Sequence, residues 1–323
     1  MTDPLPSSDA AAAAAAPPAP SLALEFQRVS KWYGAISALS DVSLRIGCEI
    51  VGLVGRSGVG KSTLMKLAVG LLQPSQGSVR ICGIPADRRA ARAEVGFCPD
   101  TERLLEPLSG VQFVAWMLRH HGFSLAAARD RARTVLADLG LASHMERPIR
   151  EYSKGMRQRV RLAQALAHGP RFVLLDEPMT GLDPIARREL IERIRALPAH
   201  GVGVLVSSHV LQELQDLVDR VVMLHQGRVL AEGRVAELRD QLPRQPHRVR
   251  VIAADPRRFA AIAVTWSGVV GVRLDRDAVE VSIDGGPAFY DALTELGATW
   301  PNGIQEVVAL DDDLASVFGY LIG

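Results

Sequence analysis

The nonapeptide Gly55-Arg-Ser-Gly-Val-Gly-Lys-Ser-Thr63 sets the strongest limit on the architecture of this chain. It follows an apolar run from Ile50 to Val54 and fits the pattern GxxxxGK[ST] in full. This context predicts a strand, a tight loop and then a helix. Glycines let the backbone approach an anion closely, so that loop NH groups and the helix N-terminus face a polyphosphate.

Side chains of this loop can also bind phosphate and metal. Lys61 supplies a mobile positive charge for β- and γ-phosphates, Ser62 is placed to ligate Mg²⁺, and Thr63 can hydrogen-bond a phosphate oxygen. The other residues predicted to cradle the phosphates are Gly55, Arg56, Ser57, Gly58, Val59 and Gly60. Chance would produce the pattern in about one per cent of chains this long, so a second sequence element is needed to support the assignment to phosphate binding.

That second element is an acidic pair, Asp176 and Glu177, which follows the apolar residues 172–175. Four apolar residues in a row predict a strand buried on both faces. In an open parallel sheet, ligands gather at the carboxyl ends of the strands, so the pair should lie near the phosphate loop. Asp176 would hold the Mg²⁺ shell through water, and Glu177 would polarise an attacking water as general base. The plainer alternative is a helix N-cap followed by a first-turn acid.

Three further segments favour the functional interpretation. Tyr152-Ser-Lys-Gly-Met156 places Ser153 and Gly155 at the predicted N-terminus of a helix, which is another anion site. Thr180-Gly-Leu-Asp-Pro184 predicts a turn directly after the acidic pair. An apolar strand then ends at His209, although a single histidine in such a place is more often structural.

In this order, the segments resemble the ATP-binding subunit of ABC transporters, from about Leu22 to Leu238. The resemblance implies an α/β fold: a P-loop NTPase with an antiparallel β-subdomain and a helical insert. It also implies ATP and Mg²⁺ as cofactors, with ATP hydrolysis as the activity. The catalytic residues would be Glu177, His209 and Lys61, and the metal ligands would be Ser62, Asp100 and Asp176.

Further roles follow from the resemblance alone. Tyr33 would stack on adenine, although it could instead be a core aromatic of the β-subdomain. Ser153 and Gly155 would bind the γ-phosphate held by a second protomer, so that hydrolysis requires a head-to-tail homodimer. Asp183 would couple the two sites across that interface. His209 would orient the γ-phosphate and the lytic water, and would release its contact once phosphate is gone.

Two departures from the family pattern stand out. The usual signature LSGGQ is replaced here by residues 152–156, YSKGM, a form similar to that of a subgroup that powers exporters with separate membrane subunits. Asp100 stands where the family usually has glutamine. Its carboxylate can still ligate Mg²⁺ but cannot donate an amide hydrogen bond. We expect altered metal affinity or coupling, and not an inactive enzyme.

Composition limits the possible partners. The 37 basic and 36 acidic side chains give a net charge of +1, so no global field favours nucleic acid. Three cysteines without a CxxC arrangement favour a reduced cytosolic protein. No apolar run approaches the roughly 18 residues of a membrane span, so the pore must be a separate integral-membrane permease. We therefore expect a cytoplasmic protein, peripheral on the inner face of the cell membrane.

The chain divides into three predicted parts. Residues 1–21 are a disordered tail rich in alanine and proline, and residues 22–240 are the ATPase domain, with a helical subdomain at about 101–165. Residues 241–323 are an α+β accessory domain whose pattern βαββαβ predicts a ferredoxin-like sandwich, with a last helix near 314–321. Within the insert, we expect the core to contain Phe113, Trp116 and Met117, and the alternative is that they form the surface that docks on the permease.

These observations together predict an ATP-hydrolysing subunit that pairs with itself and drives a permease, most simply for export. One alternative is a soluble ABC-type ATPase that acts on ribosomes or nucleic acid. Against it, the chain has one cassette, and only 115 positions separate Lys61 from Asp176. Another alternative is a regulator that binds nucleotide without hydrolysing it, which the presence of Glu177 and His209 disfavours.

Overall fold

The computed structural model describes residues 22–100, 104–215, 217–240, 246–284 and 287–310, together with Ser316 and Gly319. The predicted tail at 1–21, the first five residues of the predicted accessory domain at 241–245 and most of the predicted last helix lie outside these residues.

Strands and helices are interspersed along the first two-thirds of the chain, and a shorter βαββαβ series follows. In chain order the elements are β1 (Leu24–Tyr33), β2 (Ile36–Ile46), β3 (Ile50–Val54), α1 (Lys61–Ala68), β4 (Gln76–Ile81), β5 (Ile84–Pro85), α2 (Arg89–Ala93), β6 (Val95–Cys98), α3 (Gly110–His120), α4 (Leu125–Asp138), α5 (Lys154–Leu166), β7 (Phe172–Asp176), α6 (Pro184–Arg195), β8 (Gly203–Ser207), α7 (Leu211–Gln215), β9 (Arg220–His225), β10 (Arg228–Gly233), α8 (Val235–Asp240), β11 (His247–Ala253), α9 (Pro256–Ala263), β12 (Val269–Asp275), β13 (Ala278–Ile283), α10 (Ala288–Thr299) and β14 (Ile304–Ala309).

A six-stranded sheet in the order β10-β9-β3-β8-β7-β6 carries the candidate site. All neighbouring pairs are parallel except β9 and β10. Every residue of β3, β7 and β8 is buried, as expected for strands covered on both faces. Because these three strands are neighbours, the segments that follow them leave the sheet at one edge.

A second, antiparallel sheet has the order β2-β1-β4-β5. Along β2, Val42, Leu44 and Ile46 are buried, and Ser43 and Arg45 are exposed. This alternation confirms the predicted β-subdomain and the face that it turns to its core.

The helical insert contains α3, α4 and α5. Ser109 forms a capping box at the N-terminus of α3, in which its Oγ accepts from Gln112 N and its backbone N donates to Gln112 Oε1.

The expectation that Trp116 belongs to the core of this insert is wrong. Phe113 is buried and Met117 is half-buried, but Trp116 is 48% exposed. The reason is helical geometry: Trp116 lies two positions from the buried residues Val114 and Leu118, which is about 200° around the helix.

The C-terminal elements form a four-stranded antiparallel sheet in the order β12-β13-β11-β14, with α9 and α10 between its strands in sequence. Chain order and sheet order together are those of the predicted ferredoxin-like arrangement. Its core includes Phe259 and Phe289, each of which stacks edge-on against Trp266.

None of the helices within the described ranges combines the length and the apolar character needed to cross a membrane.

Candidate functional site

The phosphate loop joins β3 to α1, and its shape depends on two glycines. Gly58 has φ +80° and Gly60, the N-cap of α1, has φ +113°, which side-chain-bearing residues rarely adopt. A Cβ on Gly60 would also lie 2.5 Å from the carbonyl oxygen of Ala38. The glycine at position 60 is therefore required both for conformation and for space.

Lys61 begins α1 and turns its ammonium back over the loop. Its Nζ donates to the carbonyl oxygens of Gly55 at 2.5 Å and Arg56 at 3.4 Å. Burial lowers the pKa of Lys61, and the carboxylates of Glu177 and Asp176 oppose this shift. The cation is thus held at the loop, beside the acidic pair.

Asp176, the last residue of β7, is buried and bonded through both carboxylate oxygens. Ser207 Oγ donates to Oδ1 at 2.6 Å, and Ser62 Oγ lies 3.4 Å from Oδ2. Burial raises the pKa of Asp176, the Ser207 hydrogen bond opposes this shift, and the carboxylates of Asp100 and Glu177 add to it.

These donors fit a magnesium ion in type, because hydroxyl and carboxylate oxygens are the ligands that Mg²⁺ prefers. Over the described ranges, no group of three or more His, Cys, Asp or Glu side chains could hold a metal by itself. A magnesium ion beside Ser62 and Asp176 would therefore take its remaining ligands from phosphate oxygens and water.

Glu177 follows directly and has φ +50°, a conformation rarely adopted outside glycine. Its backbone N donates to Ser207 Oγ at 3.1 Å, so one serine hydroxyl fixes both acidic residues. Its Oε2 accepts from Thr180 Oγ1 at 3.3 Å and lies 2.7 Å from His209 Nδ1. The structure thus brings the predicted base and the predicted histidine into direct contact.

The loop, the acidic pair and the histidine border one cleft of about 540 Å³. Its lining residues are Ala38, Arg56, Ser57, Gly58, Gly60, Lys61, Ser62, Thr63, Asp100, Asp176, Glu177, Thr180 and His209. Asp100 and Ser62 therefore lie together in it, as the metal hypothesis requires.

Tyr33 does not line this cleft. It ends β1 at a turn and is 47% exposed, with Lys31 Nζ 5.4 Å from its ring centre. The alternative in which Tyr33 is a core aromatic is wrong.

Ser153, Gly155 and Asp183 lie outside the cleft of Lys61. Ser153 is the N-cap of α5, and Asp183 is the N-cap of α6. The two helix ends are close: a Cβ on Gly155 would lie 3.5 Å from Ala186 Cβ, and Lys154 reaches over Gly181. None of these residues lines the cleft of Lys61.

Sequence reasoning missed Ser207, Thr180 and Ala38. Ser207 left a signal, since it is a hydroxyl residue at the last position of an otherwise apolar strand. The parallel pairing of β7 and β8 sets Ser207 opposite Asp176, and that register is not visible in the sequence.

A second and larger cleft, of about 1250 Å³, shares Ser62, Asp100 and Asp176 with the first. We call it the basic cleft, because Lys66, Arg89, Arg92, His120, His121 and His168 line it together with the apolar residues Val69, Leu71, Val95, Phe97, Met117 and Leu118. His121 and His168 stack 4.1 Å apart, and burial lowers the pKa of His168 to about 4. The fixed positive charge of this cleft therefore comes from its lysine and arginines.

Comparison with known proteins identifies the family. The ABC transporter family profile matches residues 39–180. The Nod factor export ATP-binding protein I of Paraburkholderia xenovorans is 36% identical over 217 residues, which cover 66% of this chain and 71% of that protein. The daunorubicin/doxorubicin resistance ATP-binding protein DrrA of Streptomyces peucetius is 32% identical over 287 residues, which cover 87% of this chain and 86% of that protein.

Solved structures agree. An ATP-binding subunit of an ABC transporter superposes with a TM-score of 0.62 at 34% identity, covering 68% of this chain and 92% of its own. A dimeric ATP-binding cassette in a post-hydrolysis state with ADP and Pi gives a TM-score of 0.60 at 27% identity, and the match covers 65% of this chain and 98% of that cassette. These matches confirm the predicted cassette fold, and the chain belongs to the ATP-binding, ATP-hydrolysing subunits of ABC transporters.

Proposed function

We propose that this chain drives an exporter as a head-to-tail homodimer, attached to a separate permease on the cytoplasmic face of the cell membrane. The observation that carries the proposal is the Glu177–His209 contact in a cleft that also contains Lys61 and Ser62. This arrangement places a candidate base, its orienting partner and a phosphate-binding cation around one space.

In this proposal the phosphate loop, residues 55–63, binds the triphosphate through its NH groups and Lys61. Ser62, Asp176 and Asp100 would hold Mg²⁺, which supplies positive charge against the charge that develops on the phosphates. The raised pKa of Asp176 favours this assignment, since a cation would stabilise its buried carboxylate.

Glu177 accepts a proton from the attacking water, a role worth about 10²- to 10⁴-fold in rate. His209 orients the carboxylate and the γ-phosphate, and Thr180 adds a hydrogen bond to the same carboxylate. Water attacks phosphorus, the bond to the β-phosphate oxygen breaks, and the products are ADP and phosphate.

The homodimer is proposed because Ser153, Gly155 and Asp183 lie outside the cleft of Lys61 in one protomer. The N-termini of α5 and α6 together offer backbone NH groups suited to the γ-phosphate held by a partner. Tyr33 is exposed and free to stack on adenine.

The permease is proposed to dock at the basic cleft, beside the helical insert. Export is favoured because the relative from Paraburkholderia is named as an export protein and that from Streptomyces as a drug-resistance protein.

We further propose that residues 22–240 form the ATPase domain and 241–323 an accessory domain that braces the dimer. A match of 287 residues with the Streptomyces relative must run beyond position 240, so that relative has a counterpart of part of this segment. The near-zero net charge gives no reason to expect nucleic acid.

The test is Glu177→Gln in the full chain. Removing the base while keeping the side-chain shape should stop turnover and leave ATP held in dimers, seen by size-exclusion chromatography and phosphate release. Glu306→Gln, an exposed change on β14, serves as the matched control and should behave as the unmodified chain does. Wild-type turnover by the Glu177→Gln protein would show that another group is the base.

A further inference from the structure

The ring of Tyr33 carries a cation over one of its faces. Lys31 lies two positions earlier on β1, and its Nζ is 5.4 Å from the centre of the Tyr33 ring. An ammonium within about 6 Å of a ring centre is attracted by the negative charge of the ring face. Lys31 thus occupies one face of the ring, and Tyr33 remains 47% exposed.

A backbone contact fixes the position of this ammonium. Lys31 is half-buried, and its Nζ donates to the carbonyl oxygen of Gln73 at 2.9 Å. The segment before Gln73 is attached to α1, because the NH groups of Leu71 and Leu72 donate to the carbonyl oxygen of Lys66. The side chain of Lys31 therefore ties the end of β1 to the end of the helix that begins at the phosphate loop.

The pairing of β1 with β2 connects the same ring to the nucleotide cleft. At the turn between these strands, Tyr33 pairs with Ile36. Lys31 pairs with Leu39, which follows Ala38, a residue that lines the cleft. The ring and its cation are thus held beside the strand segment that borders the phosphate loop.

A cation over one ring face changes what the opposite face can bind. The faces of aromatic rings are negative, so two stacked rings repel each other unless they are offset. A positive charge held over one face draws the ring electrons towards it and reduces the negative charge of the opposite face. Because the faces of adenine are negative as well, adenine should stack more strongly on the open face of such a ring.

We propose that Lys31 is a positioning residue for adenine: it holds the Tyr33 ring in place and occupies one of its faces, so that adenine stacks on the other. This inference rests on the proposed nucleotide site, in which Tyr33 stacks on adenine. It assigns to Lys31 a part in the affinity for adenine, whereas Lys61 and the phosphate loop bind the phosphates.

Calorimetric titration of the full chain tests this role, with ADP and with inorganic tripolyphosphate, each in the presence of Mg²⁺. Tripolyphosphate has no adenine, so it reports on the phosphate loop alone. Tyr33→Leu should weaken ADP binding by roughly tenfold, because stacking on the ring is lost. Lys31→Leu should weaken ADP binding by about two- to fivefold, as expected for a cation near an exposed ring. Neither change should alter the affinity for tripolyphosphate.

Two further variants separate the charge of Lys31 from a general structural effect. Lys31→Arg should keep ADP affinity within about twofold of the unmodified chain, since a guanidinium also binds aromatic faces and donates to carbonyl oxygens. In the Tyr33→Leu background, Lys31→Leu should cost less than about 1.5-fold, because the ring through which Lys31 acts is absent.

Arg80→Leu is the matched control. Arg80 is an exposed cation on β4 of the same antiparallel sheet, and its Nη1 donates to the carbonyl oxygen of Gly83 at 2.9 Å. Its replacement removes a charge and a hydrogen bond to a carbonyl oxygen, as Lys31→Leu does. It should change neither the affinity for ADP nor that for tripolyphosphate.

The outcomes distinguish the inference from the site on which it rests. Unchanged ADP affinity in Lys31→Leu, an equal loss for tripolyphosphate, or failure of Lys31→Arg to retain affinity would overturn the role of Lys31. Any of these results would leave Tyr33 as the stacking residue if Tyr33→Leu still weakens ADP binding selectively. Unchanged ADP affinity in Tyr33→Leu would overturn the adenine assignment and the inference together.

Discussion

His209 and Glu177 meet twice: the backbone N of His209 lies 3.3 Å from Glu177 Oε2, and its Nδ1 lies 2.7 Å from the same oxygen. Thr180 Oγ1 also reaches Oε2, at 3.3 Å. All three contacts use one carboxylate oxygen, so Oε1 is the oxygen that they leave to accept a proton from water. The contacts of His209 and Thr180 thus orient the proposed base without any bound substrate.

This relationship predicts that His209→Ala slows ATP hydrolysis by about 10²-fold or more, because the carboxylate loses its orienting partner. ATP affinity should change little, since Lys61 and the loop remain. Phosphate release and nucleotide binding measure the two effects. His200→Ala, an exposed change, is the control, and equal turnover by the two variants would count against the role of His209.

Ser207→Ala should weaken the acidic pair as a unit. Its hydroxyl donates to Asp176 Oδ1 and accepts from Glu177 N. Its loss leaves the buried Asp176 Oδ1 short of a donor, whereas Glu177 N keeps its hydrogen bond to the backbone oxygen of Ser207 at 3.2 Å. We expect about 1–3 kcal/mol less free energy of unfolding, measured by denaturant titration.

Ser207→Ala should also shift the pH dependence of ATP hydrolysis. The Ser207 hydrogen bond holds the pKa of Asp176 down against burial, so its removal raises that pKa further. Because Mg²⁺ requires the ionised carboxylate, the acid limb of the Mg²⁺-dependent rate should move to higher pH. Ser208→Ala, which loses the hydrogen bond that Ser208 Oγ accepts from Val210 N, should leave the acid limb in place. An unmoved limb in Ser207→Ala would contradict the assignment.

Asp176→Asn should stabilise the nucleotide-free protein while abolishing Mg²⁺-dependent hydrolysis. Burial raises the pKa of Asp176 above its ordinary value of 3.8. The folded state then binds this proton more tightly than the unfolded state does. The contribution of Asp176 to stability is present below the unfolded pKa and is lost as pH rises through the folded pKa. Near neutral pH the carboxylate therefore opposes folding.

The measurement is thermal unfolding without Mg²⁺ or nucleotide at a series of pH values. The asparagine keeps an oxygen for Ser207, so Tm should rise near pH 7 and the gain should shrink in acid. A lower Tm at neutral pH would show that Asp176 contributes more through its contacts than it costs through its burial.

Much of this site could be predicted because the phosphate loop, Asp176 and His209 come at or soon after the ends of largely apolar runs. Such runs form central parallel strands, and the carboxyl ends of these strands converge, which brings Lys61, Asp176 and His209 together. The role of Ser207 could not be predicted in the same way. It depends on the register of β8 against β7, which is set by packing between segments distant in the chain.

Trp116 shows a second limit of prediction from the sequence. An aromatic residue in an amphipathic helix favours a core position, but only the full helical period and the placement of α4 and α5 decide which face is covered. Its exposure next to the basic cleft adds a large apolar surface where the permease is proposed to dock.

The last prediction concerns that docking. Arg89 is exposed at the first position of α2 and lines the basic cleft. Arg89→Glu reverses one of the fixed charges of the basic cleft. An acidic side chain at a helix N-terminus is favourable, so the stability of the fold should not decrease. If the permease presents acidic groups here, the variant should lose its permease during purification from native membranes, while ATP turnover of the isolated subunit stays unchanged.

Arg257→Glu is the control, because it makes the same change of charge on α9, outside the cleft. In the unmodified chain, retention of the permease should weaken as the salt concentration rises. The reason is that attraction between exposed charges is screened over about 8–10 Å at ordinary ionic strength. Retention of the permease by Arg89→Glu, or an equal loss in Arg257→Glu, would place the contact elsewhere. Trp116→Ala then distinguishes the components of the interface: it removes apolar area without changing charge, so it should weaken retention independently of salt.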